Sequence, residues 1–291
     1  MNVNNFSSVK ICICKNYYTF KVDSSMSKIT IHTTMTNPEE RKDPWREALN
    51  CYHSFADEVI TEGEDWPEEF KFEDIGKYFQ KGFDKANGDW VIRMDIDYFF
   101  HEKDFIKIQN FLKKNSDVPA VAFPQFQFFT PNRYQLKTKI CLAINKKMFP
   151  NIKLNGGGDL TLPTLNGNLI RVSDVPNINV PIYQYESTFK TKNIISHDRA
   201  RFARAWKRQF GDYGDRGGET PDLAYEAWFS MIKERYPKHT FTLNIERHPS
   251  FIKNRLKMLE KGEFGYDAFG LKDKTPRKLK YYIKGYKEKY I

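Results

Sequence analysis

No stretch of this 291-residue chain is apolar over the roughly 18–20 residues that a helix needs to cross a bilayer, so a helical membrane span is not expected. A secretory leader is not expected either. Met1 to Lys10 is polar, and Ile11-Cys12-Ile13-Cys14 is too short for the apolar core of a signal peptide. Cysteine is scarce, with four residues at Cys12, Cys14, Cys51 and Cys141 and no C-x-x-C pair. That spacing argues against a disulfide framework and against a structural zinc site. Reduced thiols without disulfides in a cytoplasmic setting are the expectation. No internal repeat is present, which removes solenoids and propellers. Acidic residues are outnumbered, 37 against 47 basic ones, for a net charge of +10. The excess is diffuse up to about Arg247 and dense near the C-terminus, so the concentrated stripe that nucleic acid demands is missing. No nucleic-acid partner is expected, and a basic balance also suits phosphates and anionic membrane surfaces.

Hydrophobic residues make up 40% of the chain, with 24 Phe and 16 Tyr, which is enough for a sizeable core. Lys28 to Thr34 alternates and is rich in β-branched residues, so it reads as a strand. Pro44 can open a helix with Asp43 as its N-cap, and Trp45, Leu49, Tyr52 and Phe55 fall along one face. Glu58 to Thr61 reads as a short strand. Phe72 to Ala86 reads as a helix ending at Asn87-Gly88, and Trp90 to Met94 as a strand running into Asp95. Strand–helix–strand–helix–strand within this span predicts a parallel α/β sheet, with the ligand site beyond the carboxyl ends of its strands. Thr33 and Thr34, Glu62, and Asp95 and Asp97 all stand at such ends.

Beyond them, His101 to Lys114 reads as a helix, and Val118 to Phe129, interrupted at Pro124, and Thr138 to Asn145 read as strands. Arg199 to Gln209 and Asp222 to Arg235 read as helices. The expected organisation is an N-terminal extension over 1–27, in which Met26 is an alternative start, and a catalytic domain over 28–195. Its donor half ends near 100, and a helical C-terminal region with a basic tail covers 196–291.

In Asp95-Ile96-Asp97 two carboxylates are spaced i and i+2, which on a strand places them on one face. Mg²⁺ and Mn²⁺ favour such hard oxygen ligands, a few from the protein and the rest from substrate phosphates. The block Lys81-Gly82-Phe83-Asp84-Lys85-Ala86-Asn87-Gly88-Asp89-Trp90-Val91-Ile92-Arg93-Met94-Asp95-Ile96-Asp97 resembles the central block of GT-A glycosyltransferases, in particular the family 2-like group. Gly82, Ala86, Gly88, Trp90, Asp95 and Asp97 fall on the matching positions, while Gln80 stands where the group often has Asn.

The resemblance covers roughly residues 28–130. It implies an α/β GT-A fold, Rossmann-like, with a mostly parallel sheet flanked by helices. It also implies a nucleotide-sugar donor, Mn²⁺ or Mg²⁺, and a glycan or glycolipid acceptor. On this pattern Thr33, Thr34 and Glu62 line the nucleoside pocket and Gly82 lets helix backbone approach the nucleotide; the plain alternatives are β-branched strand residues for the threonines, a solvated turn acid for Glu62 and helix packing for Gly82. Asp95 sits near ribose and metal, Asp97 binds the metal, and a late histidine, His197, completes the metal shell. Against that role, capping of a helix by Asp198 is the commoner explanation of the His197-Asp198 pair.

An inverting transferase needs a base for the acceptor hydroxyl. Asp159, after Gly156-Gly157-Gly158, is the first candidate and Glu186 the second; the Glu-Asp pair of many members is missing. Arg199, Arg201, Arg204, Lys207 and Arg208 form a basic helix face suited to donor phosphates or to solvent. Trp66 is a candidate stacking surface, whereas Phe126, Phe128 and Phe129 read as core. The Lys- and Tyr-rich tail from Leu271 to Ile291 suits peripheral contact with an anionic membrane or a solvated helix. Two rival readings are weaker. A nucleotide-sugar-forming nucleotidyltransferase wants a Gly-rich loop after the first strand, and Thr34 to Lys42 holds no glycine. A non-catalytic nucleic-acid-binding protein leaves the placement of Asp95 and Asp97 unexplained.

Overall fold

A computed structural model describes residues 11–13, 16–18, 27–155 and 162–271. Near the N-terminus, β1 (Ile11–Ile13) and β2 (Asn16–Tyr18) pair antiparallel. The main sheet begins with β3 (Ile29–Thr34), α1 (Trp45–Phe55), β4 (Glu58–Glu62), α2 (Asp74–Lys85) and β5 (Trp90–Arg93). β4 and β5 flank β3, both parallel to it. Next come β6 (Tyr98–Phe99), α3 (Phe105–Lys114), and a long hairpin of β7 (Ala120–Thr130) and β8 (Arg133–Asn145). A small sheet of β9 (Lys153–Asn155), β10 (Leu162–Leu165) and β11 (Asn168–Leu169) follows. β12 (Ile182–Gln184) returns to the main sheet, followed by α4 (Lys192–Phe210) and α5 (Pro221–His239). β13 (Thr240–Thr242), α6 (Ser250–Lys257) and α7 (Phe264–Asp267) complete the described chain.

The main sheet has the order β4-β3-β5-β8-β7-β12-β6, with β13 on the free edge of β8. β4, β3, β5, β7, β12 and β13 run one way, and β8 and β6 run against them. This is the mostly parallel, helix-flanked GT-A architecture. Its two faces follow from the period-2 alternation of the strands. Ile29, Ile31, Trp90 and Ile92 pack with α1, α3 and α6, while Val91 faces the opposite side with Ile75, Phe79 and Phe83 of α2. A third cluster, built on Phe129, Tyr225, Trp228, Tyr236 and Phe264, joins α5 and α7 to the hairpin.

Several element ends differ from expectation. Pro124 lies within a continuous β7 because the register slips between Phe123 and Gln125. A bulge of that kind tolerates a residue with no N–H to give. Gly88 does not adopt a left-handed cap. A Cβ there would stand 2.6 Å from the Thr30 backbone nitrogen, so glycine permits the close approach of the α2–β5 connection to β3. α4 begins at Lys192, not Arg199, capped by Thr191, whose hydroxyl accepts from the Ile194 N–H at 3.4 Å. Asp198 is therefore an interior helix residue and not a cap, and α4 runs unbroken across position 195.

The hairpin tip is tied to β12 through His248. Its Nε2–H donates to the Pro131 carbonyl at 2.6 Å, and its Nδ1 accepts from the Tyr185 hydroxyl at 2.7 Å. Burial pushes the His248 pKa down to about 4, and burial does the same for His32 beneath α2. A folded-state pKa below the unfolded value means that the unfolded chain takes up protons first. The stability contributed by the two neutral imidazoles is therefore present above about pH 6.5 and lost as pH falls toward 4. Each histidine loses roughly 1.4 kcal/mol for every pH unit crossed between those limits. Urea denaturation between pH 7 and 5 should show this decline, and two histidine NMR resonances should fail to titrate above pH 5. A pair of buried histidines titrating near 6.5 would contradict it.

Candidate functional site

The carboxyl ends of β3, β5 and β12 open into a cleft of about 300 Å³. Its wall includes Thr34, Thr36, Trp66, Phe70, Asp95, Asp97, Gln184, Glu186 and Lys190, and the α4 residues Asp198, Arg199 and Arg201. Asp95-Ile96-Asp97 lies just beyond β5, in a turn closed by the Tyr98 N–H bonding the Asp95 carbonyl at 2.8 Å. The two carboxylates are thus presented by a turn and not by one face of a strand. Two contacts fix that turn. The buried Tyr52 hydroxyl of α1 reaches the Asp95 and Tyr98 carbonyls at 2.7 and 2.9 Å. From β12 the Tyr185 N–H donates to the Asp97 carbonyl at 3.0 Å.

The two aspartates differ. Asp95 is half-buried, with an oxygen 3.3 Å from the Arg93 guanidinium. Asp97 is buried, and its Oδ2 has no hydrogen-bond partner. Desolvation, followed by the charges of Asp95, Glu186 and Asp43, holds its carboxyl well above the usual range, with Lys190 acting the other way. Around it, Arg41, Asp43, Lys190 and Asp198 form a closed ring of alternating charge. Lys190 Nζ lies 3.0 Å from Asp43 and 2.7 Å from Asp198, and Arg41 Nε lies 3.3 and 3.5 Å from the same two carboxylates. Burial raises the Asp198 pKa, but Arg41 and Lys190 outweigh it and hold the carboxyl down at about 2. Desolvation likewise opposes the Arg41 charge and is outweighed by Asp43, Asp198, Asp97 and Glu186.

The sequence-derived candidates distribute unevenly. Thr34, Asp95, Asp97 and Glu186 line one cleft. Thr33 does not; the strand's alternation turns it to the opposite face, where it is fully buried with its hydroxyl unpaired. Glu62 reaches the expected strand end, but its carboxylate is gripped by Lys81 at 2.9 Å and by Lys85 one helical turn on, so it faces α2 and does not line the cleft. Burial disfavours its charge, and these two lysines still keep its pKa below the ordinary value. Gly82 serves packing. A Cβ there would meet the His32 ring at 2.0 Å, so glycine lets α2 lie on β3, away from the cleft. His197 is exposed on α4 and does not line the cleft, because the 3.6-residue period that turns Asp198 inward turns its neighbour out. Asp159 and the preceding glycines lie outside the described residues, as does the tail beyond Leu271.

Glu186 is held from two sides, by an ion pair with Arg199 and by the Gln127 amide donating at 2.6 Å. Trp66 stacks on Tyr78 at 4.6 Å and walls the cleft, whereas Phe128 and Phe129 are core residues. The basic face of α4 divides. Arg199 and Arg201 turn to the cleft, while Arg204 and Arg208 grip Glu69 in the β4–α2 connection. Sequence reasoning missed Arg41, Lys190 and Gln184, and it read Asp43 as a helix cap. In the fold Pro44 takes the cap position of α1, and Asp43 turns to Arg41 and Lys190 instead. No local pattern marks Lys190, whose partners come from the β3–α1 loop and from α4.

The fit of a divalent cation can be judged on these groups. Among the described residues, no three His, Cys, Asp or Glu side chains converge closely enough to hold an ion by themselves. A buried carboxylate with an unpartnered oxygen, pressed by three other acids, is the environment that a cation relieves. The donor set suits a cation shared between one or two carboxylates and substrate phosphates, not an all-protein cage. Cys51 and Cys141 are free thiols, and no helix among the described residues is long and apolar enough to cross a membrane. Residues 71–178, which include Asp95 and Asp97, match the family model described as Glycosyl transferase family 2. No curated protein matches the chain.

Proposed function

Glycosyl transferase family 2 is the family to which residues 71–178 of this chain belong, and from that premise we propose a metal-assisted transfer of a sugar from a nucleotide-sugar donor to a hydroxyl of a glycan or glycolipid. The observation that carries the reading is Asp97, which lies inside the matched segment, lines the cleft, and has a buried oxygen without a partner. Asp97 and Asp95 would hold the cation together with the donor diphosphate. When bound, a divalent ion neutralises the charge that gathers on the leaving diphosphate.

The protein's own groups supply the rest. Thr34, Thr36 and the aromatic wall of Trp66 and Phe70 receive the nucleoside. Glu186 takes the proton of the acceptor hydroxyl as its oxygen bonds to the anomeric carbon. The bond to the diphosphate breaks in the same step, with its electron pair leaving on the phosphate oxygen. Attack from the face opposite the leaving group gives inversion. The Arg199 ion pair and the Gln127 hydrogen bond hold the side chain that would serve as base. Asp159 is the other base candidate.

A panel of nucleotide-sugars with Mn²⁺, read as donor hydrolysis and as thermal shift, tests the proposal. One donor should be cleaved and should stabilise the wild type, and Asp97→Ala should lose both responses. If no nucleotide-sugar binds, or if the variant responds equally, the proposal is wrong.

A further inference from the structure

Buried side-chain amides on this sheet are paired, with one exception. Gln125 donates to the Thr138 carbonyl at 2.6 Å and accepts from the Tyr98 hydroxyl at 3.3 Å. Gln127 donates to Glu186 and accepts from Gln135. Asn145 donates to two carbonyls and accepts from the Met148 N–H at 3.2 Å. Gln184, the last residue of β12, is 3% exposed and lines the cleft, and its Oε1 has no partner. Burying an unpaired amide oxygen is costly, and native folds rarely leave one unmet.

Its position says which ligand. Gln184 stands opposite Tyr98 in the β12–β6 pairing, and the next residue bonds the Asp97 carbonyl. Glu186 follows two positions on. The amide therefore lines the same cleft as the residues assigned to the diphosphate and the candidate base, the cleft that a sugar attached to that diphosphate would enter. An orphaned carbonyl oxygen needs a hydrogen-bond donor; ionised phosphate has none to give, and a sugar hydroxyl does. We infer that Gln184 is a specificity residue that accepts a hydrogen bond from a ring hydroxyl of the transferred sugar, an inference resting on the glycosyltransferase reading above.

The test is Gln184→Met in the full chain, with the donor found in the nucleotide-sugar panel, its deoxy analogues, and the free nucleoside diphosphate with Mn²⁺. The variant should keep nucleoside diphosphate affinity within about twofold and lose about 10- to 100-fold in kcat/KM for the donor. Deleting one particular sugar hydroxyl should cost the wild type a similar factor and cost the variant nothing further. The melting temperature of the ligand-free variant should hold or rise, since an unpaired polar group is exchanged for an apolar one; a purely structural glutamine would make it fall. The inference is overturned if every deoxy donor loses equally in both proteins, if nucleoside diphosphate affinity falls in parallel, or if the acceptor KM moves instead. A wild type that binds no nucleoside diphosphate sinks the glycosyltransferase reading and this inference with it. A wild type that binds one, beside a variant with unchanged donor kinetics, sinks the Gln184 assignment alone.

Discussion

Replacing Asp97 with asparagine should raise the melting temperature of the ligand-free protein while reducing sugar transfer about 1,000-fold. Both effects have one source. The Asp97 carboxyl is buried, has an unpaired oxygen and faces Asp95, Glu186 and Asp43, which together with desolvation push its pKa up. A folded pKa above the unfolded one contributes stability at low pH that is lost as pH rises through the folded value. At neutral pH the wild-type carboxyl therefore destabilises the empty protein, and a neutral isostere removes that cost. Each 1 kcal/mol recovered would appear as about 2–4 °C in melting temperature. The same exchange removes a ligand charge from the proposed cation site, and a 1,000-fold loss corresponds to about 4 kcal/mol of transition-state stabilisation. Differential scanning fluorimetry with metal chelated, beside a transfer assay with Mn²⁺, reads both. A variant that melts lower and still transfers would show Asp97 to be structural.

Lys190→Met should be the most destabilising single change in the cleft. The ammonium is 6% exposed and neutralises Asp43, itself 5% exposed, as well as Asp198. Deleting it leaves both carboxylates sharing Arg41, one buried negative charge in excess, at a cost of about 3–5 kcal/mol. Asp198 reports on this directly. Its pKa is held at about 2, so its contribution to stability is present above the ordinary carboxyl range and lost as pH falls toward 2. Without Lys190 that loss should begin at higher pH. Adding Asp43→Asn to Lys190→Met should recover part of the stability, because it removes the excess negative charge and leaves Arg41 paired with Asp198. Urea denaturation of the two single variants and the double variant measures the coupling, and strictly additive losses would mean that the ring is not a unit.

The β3 to β5 part of the fold was legible because each of its elements carries its own local signal. β3 shows the alternation of a strand, β5 a short apolar run, and α2 helical spacing, and the Gly82 to Asp97 block ties them to a known arrangement. The place of Asp97 beyond β5, in the cleft, was legible for the same reason. The rest of the site was not, since it is assembled across distance. Arg41 comes from a charged loop, Lys190 from a turn after β12, and Asp198 from the interior of a helix whose start was misplaced by seven residues. Thr33, Glu62 and Gly82 stood at the right strand ends or helix, but neighbours set their directions: the sheet alternation, the Lys81 and Lys85 grip, and the His32 ring. Gln184 could not be found from sequence, because what marks it is the lack of a partner in the folded chain.

The most direct measurement is calorimetric titration of nucleoside diphosphates into the wild type and Asp97→Asn, each with Mn²⁺ and with chelator. One nucleoside diphosphate should bind the wild type at least tenfold more tightly with Mn²⁺ than without, and Asp97→Asn should abolish that difference. Equal affinities with and without Mn²⁺, or a difference that survives in Asp97→Asn, would contradict the assignment of Asp97 as the residue through which the donor's diphosphate is held.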